Sequence, residues 1–550
     1  MVTKASSKAS KAGSKAGEVS AGLSAPLSVA SVRATEERLL ADRRHANELI
    51  DLLAASASAA DVSVRLAATQ ACRALFVAWA EAGSLPLGAE EAAAEPADEA
   101  EARQASALEA YREWLRDKYD RFVAALGSQL GAAAESPELR VLALDSLMLL
   151  ASAEVRLARP GAACPYYAAL GASRGALGAG MLAMASAKAA LPPPLLERIA
   201  RAHACKLDVG LHLLRHVQRL ARPQAAAADG GGGERAERLL QLLLLVTPPA
   251  EDVLPEEAPL LVPPAQDPAG WPAPARSLLQ RKRHVKEFCG AWRALLALPL
   301  PARAHRRVLA ALPEAVLPHV PRPLRYADLL SSGYSRGGVD ALLSLKGLFV
   351  LMTRHNLEYP RFYTQLYSLV TLPSLGGANR ATFALELDLF LSSAGLPAYV
   401  SAAFAKRLGR LALLAPPPAA ALACGLAYNL LLRQPAARAL IHRPAADADA
   451  AAAEDPYVAA EAEPRDCRAF DSCLWEVDTL RSHFCPSVSS LAALFARPFT
   501  QSTPPVELAP LAALSADSLI RVETQRKLKR APIATAPAEP PPRHAKLWVP

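Results

Sequence analysis

The sequence predicts an all-α protein, an α-solenoid of armadillo/HEAT-like helical hairpins with disordered basic ends. Hydrophobic residues make up 52% of the chain, and much of that share is alanine, which favours helix while burying little surface. Isoleucine occurs only at Ile50, Ile199, Ile441, Ile520 and Ile533, and so thin a supply of β-branched apolar residues argues against extensive sheet. Apolar residues recur at three- and four-residue spacing, in blocks punctuated by proline. At 550 residues the chain exceeds one ordinary core, so two or more domains are expected.

Residues 1–32 read as a disordered basic arm. Lys4, Lys8, Lys11 and Lys15 are opposed only by Glu18 among serines and alanines, a composition shared with organellar transit peptides; the apolar centre of a secretory signal is missing. An N-terminal helical domain follows over 33–223, patterned through Leu39, Leu49, Leu52, Leu66, Leu75 and Trp79. Inside it, 86–105 form an acidic alanine-rich insert. Helices resume with YREWLRDKYDRF, and Ser136-Pro137-Glu138 marks a helix start, with serine as N-cap and proline at the first helical position. The interval 224–275 is a linker rich in proline, glycine and acid, around an apolar run from Leu239 to Val246 that fits one docked helix. A C-terminal helical repeat domain occupies 276–498. The tail, 499–550, is proline-rich and carries the basic cluster Arg526, Lys527, Lys529 and Arg530.

The run Leu411 to Leu432 is uncharged over a membrane-like length, but Pro416, Pro417 and Pro418 break any helix there. It reads as two buried half-segments joined by a loop, and a membrane partner is not expected. Upstream, Val339, Leu342, Leu343, Leu345, Phe349 and Met352 form an apolar stripe at helical spacing. Asn356 suits a left-handed helix end, and Pro360 suits the first position of the next helix. Tyr359, Phe362, Tyr363, Leu366 and Tyr367 then concentrate rings in a chain that is 5% aromatic. Because the rings share a face with leucines, a packing seam between helices is expected in preference to a base-stacking platform.

Catalytic signals are weak. GASRG around Ser173 and GYSRG around Ser335 match the G-x-S-x-G elbow, yet neither follows the β-branched strand that this chemistry needs. HLLRH places His212 and His216 at a zinc-helix spacing, but Leu213 stands where the metalloprotease motif holds its glutamate, so a solvated helix face is expected. Cys467, Cys473, His483 and Cys485 sit too widely for a structural zinc site. Their segment reads as an amphipathic helix with Cys473, Leu474, Val477 and Leu480 inward. Phosphate-loop, dinucleotide, EF-hand and kinase signatures are missing, and neither metal nor cofactor is expected.

The net charge of +8 with a pI near 9.1 favours an anionic partner such as RNA, and eight cysteines in so long a chain point to a reducing compartment. In AAFAKRLGRLALL, Phe404, Leu408 and Leu411 share one helix face while Lys406, Arg407 and Arg410 share the opposite one. This ridge, continued by Arg433 and Arg443, is the candidate surface for RNA phosphates or an acidic protein segment.

Long ordered strings then carry a resemblance. YSRGGVDALLSLKGLFVLMTRHNLEYPRFYTQLYSLV, LDLFLSSAGLPAYVSAAFAKRLGRLALLAPP, YNLLLRQPAARALIHRP, the Asp455-Pro456-Tyr457 triplet and CLWEVDTLRSHFCPSVSSLA resemble the conserved domain of the CCAAT-binding-factor and nucleolar-complex family, over roughly Arg281 to Phe495. The resemblance implies a helical repeat protein of the nucleus and nucleolus. It would act without catalysis in small ribosomal subunit biogenesis, paired with a nucleolar protein 14-like partner inside the small-subunit processome and touching pre-ribosomal RNA directly or indirectly. The sister branch implies a large-subunit assembly factor instead, and a serine hydrolase using Ser335 is the enzyme alternative. The chain departs from the family at LGGANRATFALELDLF, which keeps only Arg380 and Phe383 of a basic-aromatic stretch, and in its C-terminal tail.

Overall fold

A computed structural model describes residues 28–85, 99–157, 175–187, 189–222, 232–262, 273–393, 395–441, 455–500 and 502–527. All regular structure among them is helical. Most of the basic arm and of the acidic insert, Ser173, Arg443, Lys529 and Arg530 lie outside the described residues.

The chain divides into two compact units, Met1–Ala311 and Leu312–Pro550. The sequence reading placed the break in the glycine- and proline-rich interval 224–275. The whole of that interval instead falls within the first unit, and its apolar run is fully buried at Leu239, Leu240, Leu242 and Leu243. Burying four leucines outweighs the helix-breaking flanks.

In the first unit, α1 (Val29–Ala41), α2 (Glu48–Ser58), α3 (Val62–Glu81) and α5 (Pro137–Leu157) pack around α3, while α4 (Glu99–Gly131) lies against α5 and α6 (Ala176–Ala185). Ser136 caps α5 as its sequence suggests, accepting from the Leu139 amide at 3.2 Å. Phe76 of α3 stacks on Phe122 of α4 with centroids 5.4 Å apart. Glu154 ties three helices together, accepting from the Tyr119 hydroxyl at 2.7 Å and the Ala176 amide at 3.1 Å. Beyond them α7 (Leu207–Leu220), α8 (Gly232–Leu243), α9 (Arg281–Leu296) and α10 (Ala302–Ala311) complete the unit, with α8 packed on α6, α7, α9 and α10. The buried Asp208 of α7 fastens the following irregular chain by accepting from the Leu261 and Val262 amides.

The second unit is a set of sequential helix pairs. Helix α11 (Ala327–Ser335) turns into α12 (Gly338–His355) through Gly337 and Gly338, whose φ values of +74° and +58° favour glycine. Asn356 ends α12 in the left-handed region, φ 53°, as expected for a residue whose short side chain tolerates it. The expected stripe on α12 is rotated, however. Val339 is exposed, and the buried face runs through Ala341, Ser344, Leu345, Leu348 and Leu351. Gly347 decides this, because the Leu330 methyls lie 2.8 Å from where a Cβ would stand and bring α11 onto that face.

Helix α13 (Phe362–Leu369) starts two residues after Pro360, and α14 (Arg380–Phe390) follows. Phe362, Leu366 and Tyr367 are fully buried, and Tyr359 and Tyr363 are half-buried. Phe362 meets Phe390 at 5.6 Å and Phe349 at 6.3 Å, and the Tyr334 hydroxyl donates to the Phe362 carbonyl at 2.9 Å. These rings join α11, α12, α13 and α14, with Phe362 and Phe390 edge to face and the other pairs tilted.

The uncharged run becomes two helices, α15 (Ala398–Leu414) and α16 (Pro417–Arg433), separated by Ala415 and Pro416. No helix among the described residues is long and apolar enough to cross a membrane. Every residue of α16 from Pro418 to Leu431 is buried, so this helix is the centre of the unit. Around it lie α14, α15, α18 (Pro486–Ala493), α19 (Leu508–Ala513) and α20 (Ala516–Gln525), with the short α17 (Trp475–Leu480) against α15 and α18.

At Gly425 of α16 a Cβ would meet a Leu511 methyl at 2.7 Å and a Leu508 methyl at 3.1 Å. Gly425→Val should therefore force α19 away and cost about 1–3 kcal/mol, read as a lower melting temperature in the helical circular dichroism signal. An unchanged melting temperature would show that α19 is not held at that distance.

Candidate functional site

Lys406 and Arg410 stand four residues apart on α15 and so project from one face, with Arg407 beside them. That face is largely covered, which corrects the fully exposed basic ridge expected from the sequence. Lys406 is completely buried, and Arg407 and Arg410 are half-buried. The segment that covers them runs from Asp455 to Glu476. Lys406 Nζ lies 2.8 Å from Asp455 Oδ2 and 2.7 Å from Glu476 Oε1, and donates to the Cys473 carbonyl at 2.6 Å. Arg410 repeats the pattern, 2.6 Å from Asp455 Oδ2 through one terminal nitrogen and 2.8 Å from Glu476 Oε1 through Nε. Two cations and two carboxylates thus close a neutral set.

Rings wall the cluster. The Arg410 guanidinium lies 4.7 Å from the Trp475 ring centre, and Lys406 Nζ lies 5.4 Å from the same ring. Trp475 Nε1 donates to Asp455 Oδ2 at 2.8 Å, and the Ser472 hydroxyl donates to Asp455 Oδ1. Arg407 donates to the Val370 carbonyl at 2.8 Å and lies 4.4 Å over the ring of Tyr367. The Tyr367 hydroxyl meets that of Tyr457 at 2.8 Å, which joins the aromatic seam to the ionic cluster.

The two carboxyls respond differently to one environment. Burial would push Asp455 up, but hydrogen bonds from Lys406, Ser472 and Trp475 outweigh it and hold the group well below the usual carboxylate range. For Glu476, burial wins over the pull of Lys406 and Arg410, and its carboxyl is pushed up.

Both halves of this cluster fall inside residues 341–492, which match the family model described as CBF/Mak21 family. Among curated proteins, the chain is 31% identical to "Nucleolar complex protein 4 homolog" of Gallus gallus over 521 residues, covering 92% of this chain and 95% of that one. The chain belongs to the nucleolar complex protein 4 family. It is also 42% identical to the Mus musculus homolog over 260 residues and 41% identical to the Homo sapiens homolog over 247 residues. Those two alignments span 49% and 47% of the relatives, so there the chain matches about half of the curated protein's length.

Within the family domain, the Asp-Pro-Tyr and Leu-Trp-Glu motifs are therefore a lock on α15. Both motifs are visible in the sequence, but nothing local to them says what they hold. The available signal was a set of cations, Lys406, Arg407 and Arg410, inside a long apolar stretch, which needs carboxylates to accompany any of them that is buried.

Other candidates resolve as packing. Arg433 is half-buried and its charge is met by Asp388 at 2.6 and 2.7 Å. Ser335 is the exposed last residue of α11 and leads into another helix, so the strand-turn-helix geometry of an elbow is not formed. His212 and His216 are buried in α7 and do not form the solvated face that the sequence suggested; helix α9 packs over α7. Burial pushes the His212 imidazole down to about 3, so it is neutral inside the helix pair.

The cysteine segment is not one helix. Arg468 takes a left-handed conformation, φ 56°, and regular α-helix begins only at Trp475, leaving Cys473 exposed while Leu474, Val477 and Leu480 are buried. Asp455 draws Ser472 and Trp475 toward itself, and that local geometry overrides helix propensity.

Lys406→Met should cost about 3–5 kcal/mol in urea unfolding, because the fully buried Glu476 and the mostly covered Asp455 lose their central cation. Adding Glu476→Gln should recover part of that loss, and a double variant no more stable than the single one would rule out charge burial as the cause.

Asp455 gives a pH signature. With its folded pKa depressed, its contribution is present above the unfolded value near 3.8 and is lost as the pH falls below it. Asp455→Asn should lower the melting temperature at about pH 7, with the gap to wild type closing as the pH drops toward about 2. A gap independent of pH would remove the carboxylate's charge from the explanation.

Proposed function

We propose that this protein is a noncatalytic helical scaffold of the nucleolus that supports ribosome biogenesis, acting on the small-subunit precursor within the small-subunit processome and paired with a nucleolar protein 14-like partner. The observation that carries the reading is family membership over 92% of the chain, with relatives named as nucleolar complex proteins. The chemistry of the described residues agrees with it. Lys406 and Arg410, which the sequence offers to a partner surface, are spent on Asp455 and Glu476 inside the fold, and the candidate serine ends a helix. A rigid stack of helix pairs suits a part that holds others in place.

The Lys406, Arg407 and Arg410 set acts here as the internal brace of the scaffold. Charge reversal at those three positions should destabilise the second unit, and the reading therefore looks for partner contacts at other residues as well.

Affinity purification of the tagged full chain, with mass spectrometry and RNA sequencing, tests the reading. Recovery of the nucleolar protein 14-like partner with small-subunit rRNA precursor is the expected result. Recovery of large-subunit precursor would move the protein to the sister branch of the family. Labelling by an active-site serine probe, abolished in Ser335→Ala, would overturn the noncatalytic assignment.

A further inference from the structure

Cations of the second unit are unevenly committed. Arg380 donates to the carbonyls of Ala512 and Leu514, Arg433 binds Asp388, and Arg438 donates to the carbonyls of Leu431 and Leu432. Arg322, Arg325, Arg354 and Arg361 differ. All four are exposed, and their guanidiniums make no hydrogen bond, ion pair or ring contact among the described residues.

Two of these arginines line a cleft of about 540 Å³ built from residues 321–325 together with His355 and Asn356. Pro321 and Pro323 bracket Arg322 and restrict its backbone from both sides. Residues Pro323–Tyr326 form a 3₁₀ turn. Arg322 caps the start of this turn and Arg325 lies within it, and both line the cleft.

His355 and Asn356 belong to the left-handed end of α12, where the Leu357 amide donates to the Leu351 carbonyl at 3.1 Å. No carboxylate lines the cleft; Asp328 and Glu358, the acids nearest in sequence, are not among its lining residues. Leu324, 48% exposed, and the exposed Pro321 add apolar surface between the guanidiniums.

We propose that this cleft is a binding site for the backbone of single-stranded RNA. Arg322 and Arg325 pair with phosphates, Leu324 and Pro321 take base or ribose surface, and Arg354 and Arg361 extend the positive field along the same stretch of chain. The four cations singled out here are all arginine, whose planar guanidinium stacks on bases as well as pairing with phosphate, and the stacking favours RNA over a carboxylate-bearing peptide. The inference deepens the scaffold reading by giving it a direct RNA contact, at residues the internal brace does not use.

The test is fluorescence anisotropy of the full chain with a labelled single-stranded oligouridine over a salt series. Arg322→Glu/Arg325→Glu is compared with Arg497→Glu/Arg521→Glu, which changes net charge equally at two exposed arginines elsewhere in the unit. Helical circular dichroism confirms that both variants are folded. The cleft variant should weaken binding at least about tenfold and flatten the salt slope by about 1.4, the release expected for two phosphate contacts on a single strand. The control variant should stay near wild type.

Equal loss in both variants would reduce the effect to net charge, and unchanged binding in the cleft variant would place RNA elsewhere; either result overturns the proposal. Tight binding of polyglutamate with none of oligouridine would overturn it in favour of an acidic protein partner. Anisotropy reads the cleft alone. Failure to recover small-subunit precursor in the purification would therefore sink the scaffold reading without touching this result.

Discussion

The second unit depends on finding partners for one buried lysine. Taking an ammonium out of water costs several kcal/mol even after relaxation, so Lys406 can be fully buried only where opposite charge and hydrogen-bond acceptors meet it. Asp455, Glu476 and the Cys473 carbonyl do so, and all three come from a segment about fifty to seventy residues further along the chain. Helix α15 therefore has one acceptable cover. Once the segment is seated, Trp475 and Tyr457 close over the cations, α17 is placed against α15, and α18 follows onto α16.

The aromatic seam and the ionic cluster form a single construction. Tyr367 faces Phe404 of α15 at 5.4 Å and shares a hydroxyl contact with Tyr457, while Arg407 lies over its ring. One side of α13 thus fixes its distance to α12 and α14 through Phe362, and another side fixes α15 through Tyr367. Meanwhile α16 supplies small residues. Alanines and Gly425 let α19 approach closely, which a leucine-rich centre of the same length would prevent. For a scaffold, such over-determined packing confers rigidity, and it leaves partner contacts to residues with no internal task.

How much of this could be read from the chain differs by feature. Helix identity and several ends followed from local chemistry: Ser136 before Pro137, Asn356 ending α12, and the proline break at residues 416–418 are decided within one or two turns. The lock was half legible, since its motifs were quoted as family strings and its lysine was named, but the lysine was assigned to solvent. Amphipathic periodicity separates two faces of a helix without saying what covers the second one. A distant segment carrying two carboxylates made that choice. His212 and His216 failed in the same way, because their polar character suggested water and the packing of α9 supplied protein.

By itself, then, the sequence determined the helical character of the described residues, several helix ends and the family the chain belongs to, because propensity, capping and long ordered motifs are local properties carried by the residues themselves. Only the tertiary structure decided which cations are internal and which are free. Burial and charge pairing depend on segments far apart in the chain, and so does the contrast between Lys406, held by Asp455 and Glu476, and Arg322 and Arg325, exposed in a cleft without carboxylates.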